Sequence, residues 1–171
     1  SLDFVITRDS NSLQFAKLHA KPGTRVIVAP DISLAALSCK PRIASPDLEG
    51  RPRAVNRESL LVAPNGGAVR RLSHTARAKF RRELVDFAAS QYGAIGLLVS
   101  CSSRNFGDAR EVRILRRLFR KEGIAAETLA YNPNPAFAQA SVSNYDVILS
   151  QRLHPLIYGA AAGKQALSYG W

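Results

Sequence analysis

The 171-residue sequence contains no methionine, only two cysteines and no long apolar run. Two thiols, Cys39 and Cys101, can build neither a disulfide framework nor a four-cysteine zinc site, so a reducing cytosol is the default compartment. The longest apolar stretches, residues 95–99 and 156–162, fall far short of the roughly 20 residues that span a bilayer. The first residues do not have the charged, apolar and small-residue layout of a signal peptide. Nine prolines and eleven glycines are too few for a collagen-like or low-complexity chain. The sequence opens on Ser-Leu-Asp-Phe-Val-Ile and closes on Trp171, directly after an apolar strand-like run. Both ends are expected to cut through structure, as in a fragment or the ordered part of a longer enzyme.

Acidic residues are also scarce: 13 Asp and Glu against 24 Lys and Arg, a net charge of +11. With 46% hydrophobic and 22% charged residues, the chain has the composition of a globular protein with a real core. The positive excess is local. Residues 59–125 hold 13 basic and 5 acidic groups, and most of the basic ones fall on two predicted helices. One carries Arg77, Lys79, Arg81 and Arg82; the other carries Arg110, Arg113, Arg116, Arg117, Arg120 and Lys121. Such a face is either solvated or binds nucleic acid, an anionic membrane or an acidic partner. No RNA-binding aromatic motif, zinc-finger spacing or Gly-x-x-Gly clamp accompanies it, which argues against nucleic acid.

Residues 3–7 and 25–29 read as strands flanking a helix over 10–19, with Asp9 or Ser10 as its N-cap. A small-residue segment follows over 32–38. Residues 39–58, broken by Pro41, Pro46, Gly50 and Pro52, read as an interdomain linker. Beyond it strands over 60–63, 95–100, 125–130, 145–150 and 166–169 alternate with helices. A helix over 75–92 carries Phe80, Leu84, Phe87 and Ala88 on one stripe. A second, capped by Asp108, carries Val112, Leu115, Leu118 and Phe119 and ends at Gly123. Residues 133–143 read as a loop with a short helix, and 153–162 as a small-residue helix ending at Gly163. The alternation predicts an α/β fold with a Rossmann-like, doubly wound parallel sheet.

In such a sheet ligands bind beyond the carboxyl ends of the strands. Arg8 and Asp9 stand there, as do Asn65-Gly66-Gly67, the segment 101–107, and Gln151-Arg152-Leu153-His154. Arg152 can grip an oxyanion in bidentate fashion, and His154 can donate a proton near neutral pH. Packing alone also accounts for a histidine and an arginine at such a junction. Asn65-Gly66-Gly67 lets the backbone approach a ligand, yet it lacks Walker and dinucleotide spacing and equally suits an ordinary strand-to-helix turn. Ser102-Ser103-Arg104 offers weaker phosphate contacts. His19 and His74 read as surface residues, Cys101 as a packed thiol, and the three histidines share no metal-ligand spacing.

The run from Asp146 to Gly163, containing Ser150-Gln151-Arg152-Leu153-His154 and followed by Leu167-Ser168-Tyr169, resembles the signature of the polysaccharide pyruvyl transferase family. The upstream Arg8-Asp9-Ser10-Asn11-Ser12 and Pro30-Asp31 match that family's Arg-Asp-x-x-Ser and Pro-Asp segments in order and spacing. The resemblance spans nearly the whole chain. It implies a GT-B-like arrangement of two Rossmann-like domains: residues 1–38 as the end of the first, 39–58 as linker, and 59–171 as most of the second, donor-binding domain. It implies transfer of a pyruvyl group from phosphoenolpyruvate to sugar hydroxyls of a cell-surface or exopolysaccharide precursor, giving a ketal and phosphate. For that chemistry His154 is the expected catalytic residue, and Arg152, Arg8 and, from its place at a strand end, Asn65 are expected to hold the phosphoenolpyruvate. The donor substrate needs no metal or other cofactor. The acceptor is a saccharide or lipid-linked oligosaccharide, and the enzyme is cytoplasmic, with peripheral contact to an anionic membrane surface as a further expectation. Two other classes stay open: a GT-B nucleotide-sugar glycosyltransferase, and a non-enzymatic module binding anions through its basic helices.

Overall fold

A computed structural model of the chain describes residues 4–7, 10–28, 57–105 and 107–169. The chain divides into two compact units, Ser1–Lys40 and Pro41–Trp171. In the first, β1 (Phe4–Thr7) and β2 (Arg25–Val28) pair in parallel, Phe4 opposite Arg25 and Thr7 opposite Val28. Helix α1 (Ser10–His19) connects them, as a parallel pair requires. No residue of α1 is buried, and Phe15 and Leu18 lie on its exposed surface. The expected Asp9 cap, the segment 32–38 and all but the last two residues of the expected linker lie outside the described residues.

The second unit is built on five parallel strands in the order β5-β4-β3-β6-β7. They are β3 (Ser59–Ala63), β4 (Ala94–Leu98), β5 (Ala126–Leu129), β6 (Val147–Ser150) and β7 (Gln165–Ser168). Between them run α2 (Gly66–Arg71), α3 (His74–Gln91), α4 (Ala109–Lys121), α5 (Pro135–Ser143) and α6 (Leu153–Ala161). The α/β, Rossmann-like sheet expected from the sequence is present. Two helices differ from expectation. The turn at Asn65-Gly66-Gly67 opens α2, because the Asn65 side chain accepts the Ala68 N–H and nucleates a helical turn. The segment read mainly as a loop is a nine-residue helix, started by the Asn134 cap with proline in its first turn.

Strand periodicity divides the core. Leu60, Val62, Ile95, Leu97, Val147 and Leu149 join Leu84, Val85 and Ala88 of α3 and Val112, Leu115 and Phe119 of α4 in one buried cluster. Each of the larger side chains, fully buried, contributes about 2 kcal/mol of transfer free energy. Alternate residues serve the other face, where Ile148 packs against Gly159 of α6 and the buried Tyr145 ring lies against Gly96. Helices α3 and α4 pack together, as do α5 and α6. Right-handed crossovers place the two pairs on opposite faces. Helices α4 and α6 each stop at a left-handed glycine, Gly123 (φ 75°) and Gly163 (φ 69°). In both, the next residue's N–H reaches back to the helix, Ile124 to Phe119 O and Lys164 to Gly159 O, at 2.9 Å.

Candidate active site

The strand order reverses direction between β3 and β6, which lie side by side with Ala63 opposite Ser150. From β3 the chain winds toward β4 and β5; from β6 it winds the other way, toward β7. The crevice beyond these two carboxyl ends is where an open α/β sheet receives its ligand. Asn65 and Gln151 meet there: the Asn65 N–H donates to Gln151 Oε1 at 2.9 Å, and the Gln151 N–H to Ala63 O at 3.0 Å. The Arg152 N–H donates to Ser150 Oγ at 2.8 Å, which fixes the turn leading into α6.

Arg152 is not a solvated cation. Its Nη2 lies 2.6 Å from Asp108 Oδ1, with 24% of the Arg152 side chain exposed and none of Asp108. The same Asp108 oxygen accepts the Gly66 N–H at 2.9 Å. Asp108 Oδ2 is buried with no hydrogen-bond partner among the described residues. This corrects the sequence expectation for Asp108. It occupies the N-cap position of α4 but makes no side-chain cap bond, because the guanidinium and the Gly66 amide draw its carboxylate across the sheet. Gly66 itself is required there by close approach, since a Cβ would stand 2.5 Å from Gly107 O.

A cavity of about 560 Å³ opens at this edge, toward α5 and α6. Asn65, Cys101, Tyr131, Phe137, Arg152 and His154 are among its lining residues. Of the expected site residues, Asn65, Arg152 and His154 thus share one cavity, whereas Arg8 lies outside the described residues. The Asn65 side-chain oxygen also serves as the α2 cap, accepting the Ala68 N–H at 3.1 Å. His154 is exposed in the first turn of α6, its ring 6.3 Å from that of Tyr158. Cys101 borders the cavity half-buried, while Ser102, Ser103 and Arg104 are exposed and outside its lining.

On the α3–α4 face a second buried acid is engaged. Glu111 accepts both forks of Arg81, from Nε at 2.7 Å and Nη2 at 2.6 Å. Arg81 therefore belongs to an interhelical ion pair rather than to a solvated basic face. Tyr169, just beyond β7, stacks on Phe80 with ring centroids 5.8 Å apart. Burial, with Glu111 and Asp108 nearby, pushes its phenol pKa far above the ordinary value. The sequence could not disclose these pairings. Asp108 and Arg152 are 44 residues apart, and an aspartate before a helix carries the same local signature whether it caps or reaches elsewhere.

Among the described residues no group of three or more His, Cys, Asp or Glu side chains is placed to hold a metal ion. No helix among them is long and apolar enough to cross a membrane. No curated protein matches the chain as a relative. The family model described as polysaccharide pyruvyl transferase matches residues 1–171, so it takes in both the expected Arg8 motif and the switch-point crevice. The chain belongs to the polysaccharide pyruvyl transferase family.

Proposed function

We propose that the chain carries the donor site of a transferase that moves a pyruvyl group from phosphoenolpyruvate to two hydroxyls of a saccharide, forming a ketal and releasing phosphate. The observation that carries this reading is the convergence of Arg152, His154 and Asn65 on one cavity at the topological switch point. Phosphoenolpyruvate brings a phosphate and a carboxylate, and a guanidinium fork matches either. Arg152 is assigned to one of these groups, and Arg8 and Asn65 to holding the rest of the donor.

A proton delivered to the methylene carbon makes C2 electrophilic, and the first sugar hydroxyl adds there as it loses its own proton. The C2–O bond to phosphate then breaks, the second hydroxyl closes the ketal, and its proton leaves with phosphate or a base. His154, exposed at the start of α6, is assigned as general acid or as the cation that stabilises the departing phosphate. The amides in the first turn of α6 reinforce the preference for an anion. Phosphoenolpyruvate is the donor substrate, and the scheme calls for no metal or prosthetic group.

The accompanying architecture is GT-B-like, with residues 1–38 closing a first Rossmann-like domain, 39–58 as linker and 59–171 as the donor-binding domain. The acceptor is a saccharide or lipid-linked oligosaccharide, and the enzyme works in the cytoplasm, its basic helices favouring an anionic membrane surface. Calorimetry with phosphoenolpyruvate tests the donor assignment. Saturable binding is expected, weakened at least tenfold in Arg152→Lys, which keeps the charge but loses the fork. His154→Ala is expected to bind the donor yet to release phosphate about 10²- to 10⁴-fold more slowly. No heat with phosphoenolpyruvate, and binding of a nucleoside diphosphate instead, would replace this reading with nucleotide-sugar glycosyl transfer.

A further inference from the structure

A second polar cavity, of about 320 Å³, lies between α3 and α4 on the face opposite the α5–α6 side. Its lining includes Arg70, His74, Arg77, Arg81 and Arg110, with Glu111 as the single carboxylate among the described residues. That carboxylate is already satisfied by the two-fork pair with Arg81, so it offsets none of the other charges. Arg70 is anchored by the backbone oxygens of Asn105 and Gly107, neutral acceptors that aim the guanidinium without neutralising it. Arg77 Nε is buried with no hydrogen-bond partner among the described residues. Three guanidinium groups gathered around one small cavity repel one another, and a buried donor left unmade is costly. An anion in the cavity relieves both penalties.

We infer that this cavity is a binding site for a phosphate or diphosphate group, separate from the donor crevice. Its volume sits at the small end of ligand pockets, which suits a phosphoryl group rather than a whole nucleotide. Guanidinium forks from two helices and the end of a third match phosphoryl oxygens in geometry and charge. The site does not depend on pyruvyl transfer, but its position gives it a part in such an enzyme. Arg70 touches the carbonyl of Gly107, the residue before Asp108, so the two sites share the β4–α4 loop. The phosphoryl group belongs to a phosphorylated or diphosphate-linked ligand, in free solution or in a lipid headgroup.

Titration calorimetry of the purified chain with inorganic pyrophosphate tests the site. Saturable binding is expected, weakened about tenfold or more by Arg77→Gln and again by Arg110→Gln, and retained in Arg152→Lys, whose change lies in the donor crevice. Melting curves of the two glutamine variants check that both remain folded. Flotation with phosphatidylglycerol vesicles separates the sources. Binding that Arg77→Gln abolishes assigns the phosphoryl group to a lipid headgroup, whereas pyrophosphate binding without vesicle binding assigns it to a soluble ligand. Pyrophosphate affinity unchanged in both folded glutamine variants, or lost in Arg152→Lys alone, overturns the inference.

Discussion

The Asp108–Arg152 pair is asymmetric, and the two halves should fail differently. Asp108→Asn removes the charge but keeps an oxygen for the Gly66 N–H, and it leaves Arg152, 24% exposed, able to reach water. One charge-assisted bond is lost at a partly solvated site, a cost of about 1–2 kcal/mol. Arg152→Met keeps the side-chain stem but strands a carboxylate with no exposed surface, whose Oδ2 already lacks a partner among the described residues. Breaking a buried pair from that side costs about 3–5 kcal/mol. For a chain of this size each kcal/mol lowers the melting temperature by about 2–4 °C. Asp108→Asn should therefore melt a few degrees early and Arg152→Met roughly 10 °C early. The double variant, with no stranded charge, should recover most of the difference and melt near Asp108→Asn. Thermal unfolding by circular dichroism, checked by urea titration, measures all four proteins. Equal losses from the two single changes, or strict additivity in the double, would refute the buried-pair account.

Gly66→Ala would place a Cβ 2.5 Å from Gly107 O, so the β4–α4 loop must shift and the Gly66–Asp108 bond with it. A loss of about 1–3 kcal/mol in urea unfolding is expected, and a wild-type midpoint would contradict the close approach. Tyr169→Phe removes a buried hydroxyl with no hydrogen-bond partner among the described residues, so it should leave stability at pH 7 unchanged or raise it by roughly 1 kcal/mol. Because burial raises the phenol pKa above its unfolded value near 10, the folded state keeps its proton when the unfolded chain releases one. That contribution is complete below pH 10 and is lost as pH rises through the folded value. Tyr169→Phe should thus flatten the stability decline above pH 10, and an unaltered alkaline limb in the urea series would count against it.

Local pattern carried the strands, α3, α4 and α6, because each answers to a period or a stop signal written in adjacent residues. Val112, Leu115 and Phe119 are buried at the expected helical spacing, and Gly123 and Gly163 hold the left-handed conformations that end their helices. Helix α2 was hidden because two glycines favour a turn by propensity, and the Asn65 cap outweighs them only once Gly66 is packed against Gly107. The grouping of Asn65, Arg152 and His154 followed from a rule about strand ends. The ion pairs did not, for they join residues 30 and 44 positions apart, and nothing in composition distinguishes an arginine that lines a cavity from one that spans two helices. Arg81 and Arg77 sit one turn apart on α3 and border the same cavity, yet one is paired with Glu111 and the other has a bare Nε.

A buried carboxylate beside the arginine proposed to receive an anion looks counterproductive, since its charge would oppose the ligand's. Its geometry supplies the reason. Through a single oxygen Asp108 holds Gly66, which follows β3, and Arg152, which follows β6, while Asp108 itself follows β4. Three loops of the switch point are thereby tied at one atom. An unrestrained arginine gives up about 2 kcal/mol of rotamer freedom when it closes on a ligand; one already held gives up less, and it meets the ligand in a fixed orientation. The pair is close to neutral as a unit, so on the proposed function attraction for an anionic donor would come from the rest of the crevice: His154, the first turn of α6 and the excess positive charge of the domain. The arrangement trades some of Arg152's charge for position. The proposed pyruvyl transfer would have to hold C2 and its methylene carbon in line with a proton donor and a hydroxyl, and for such a reaction position is the scarcer requirement.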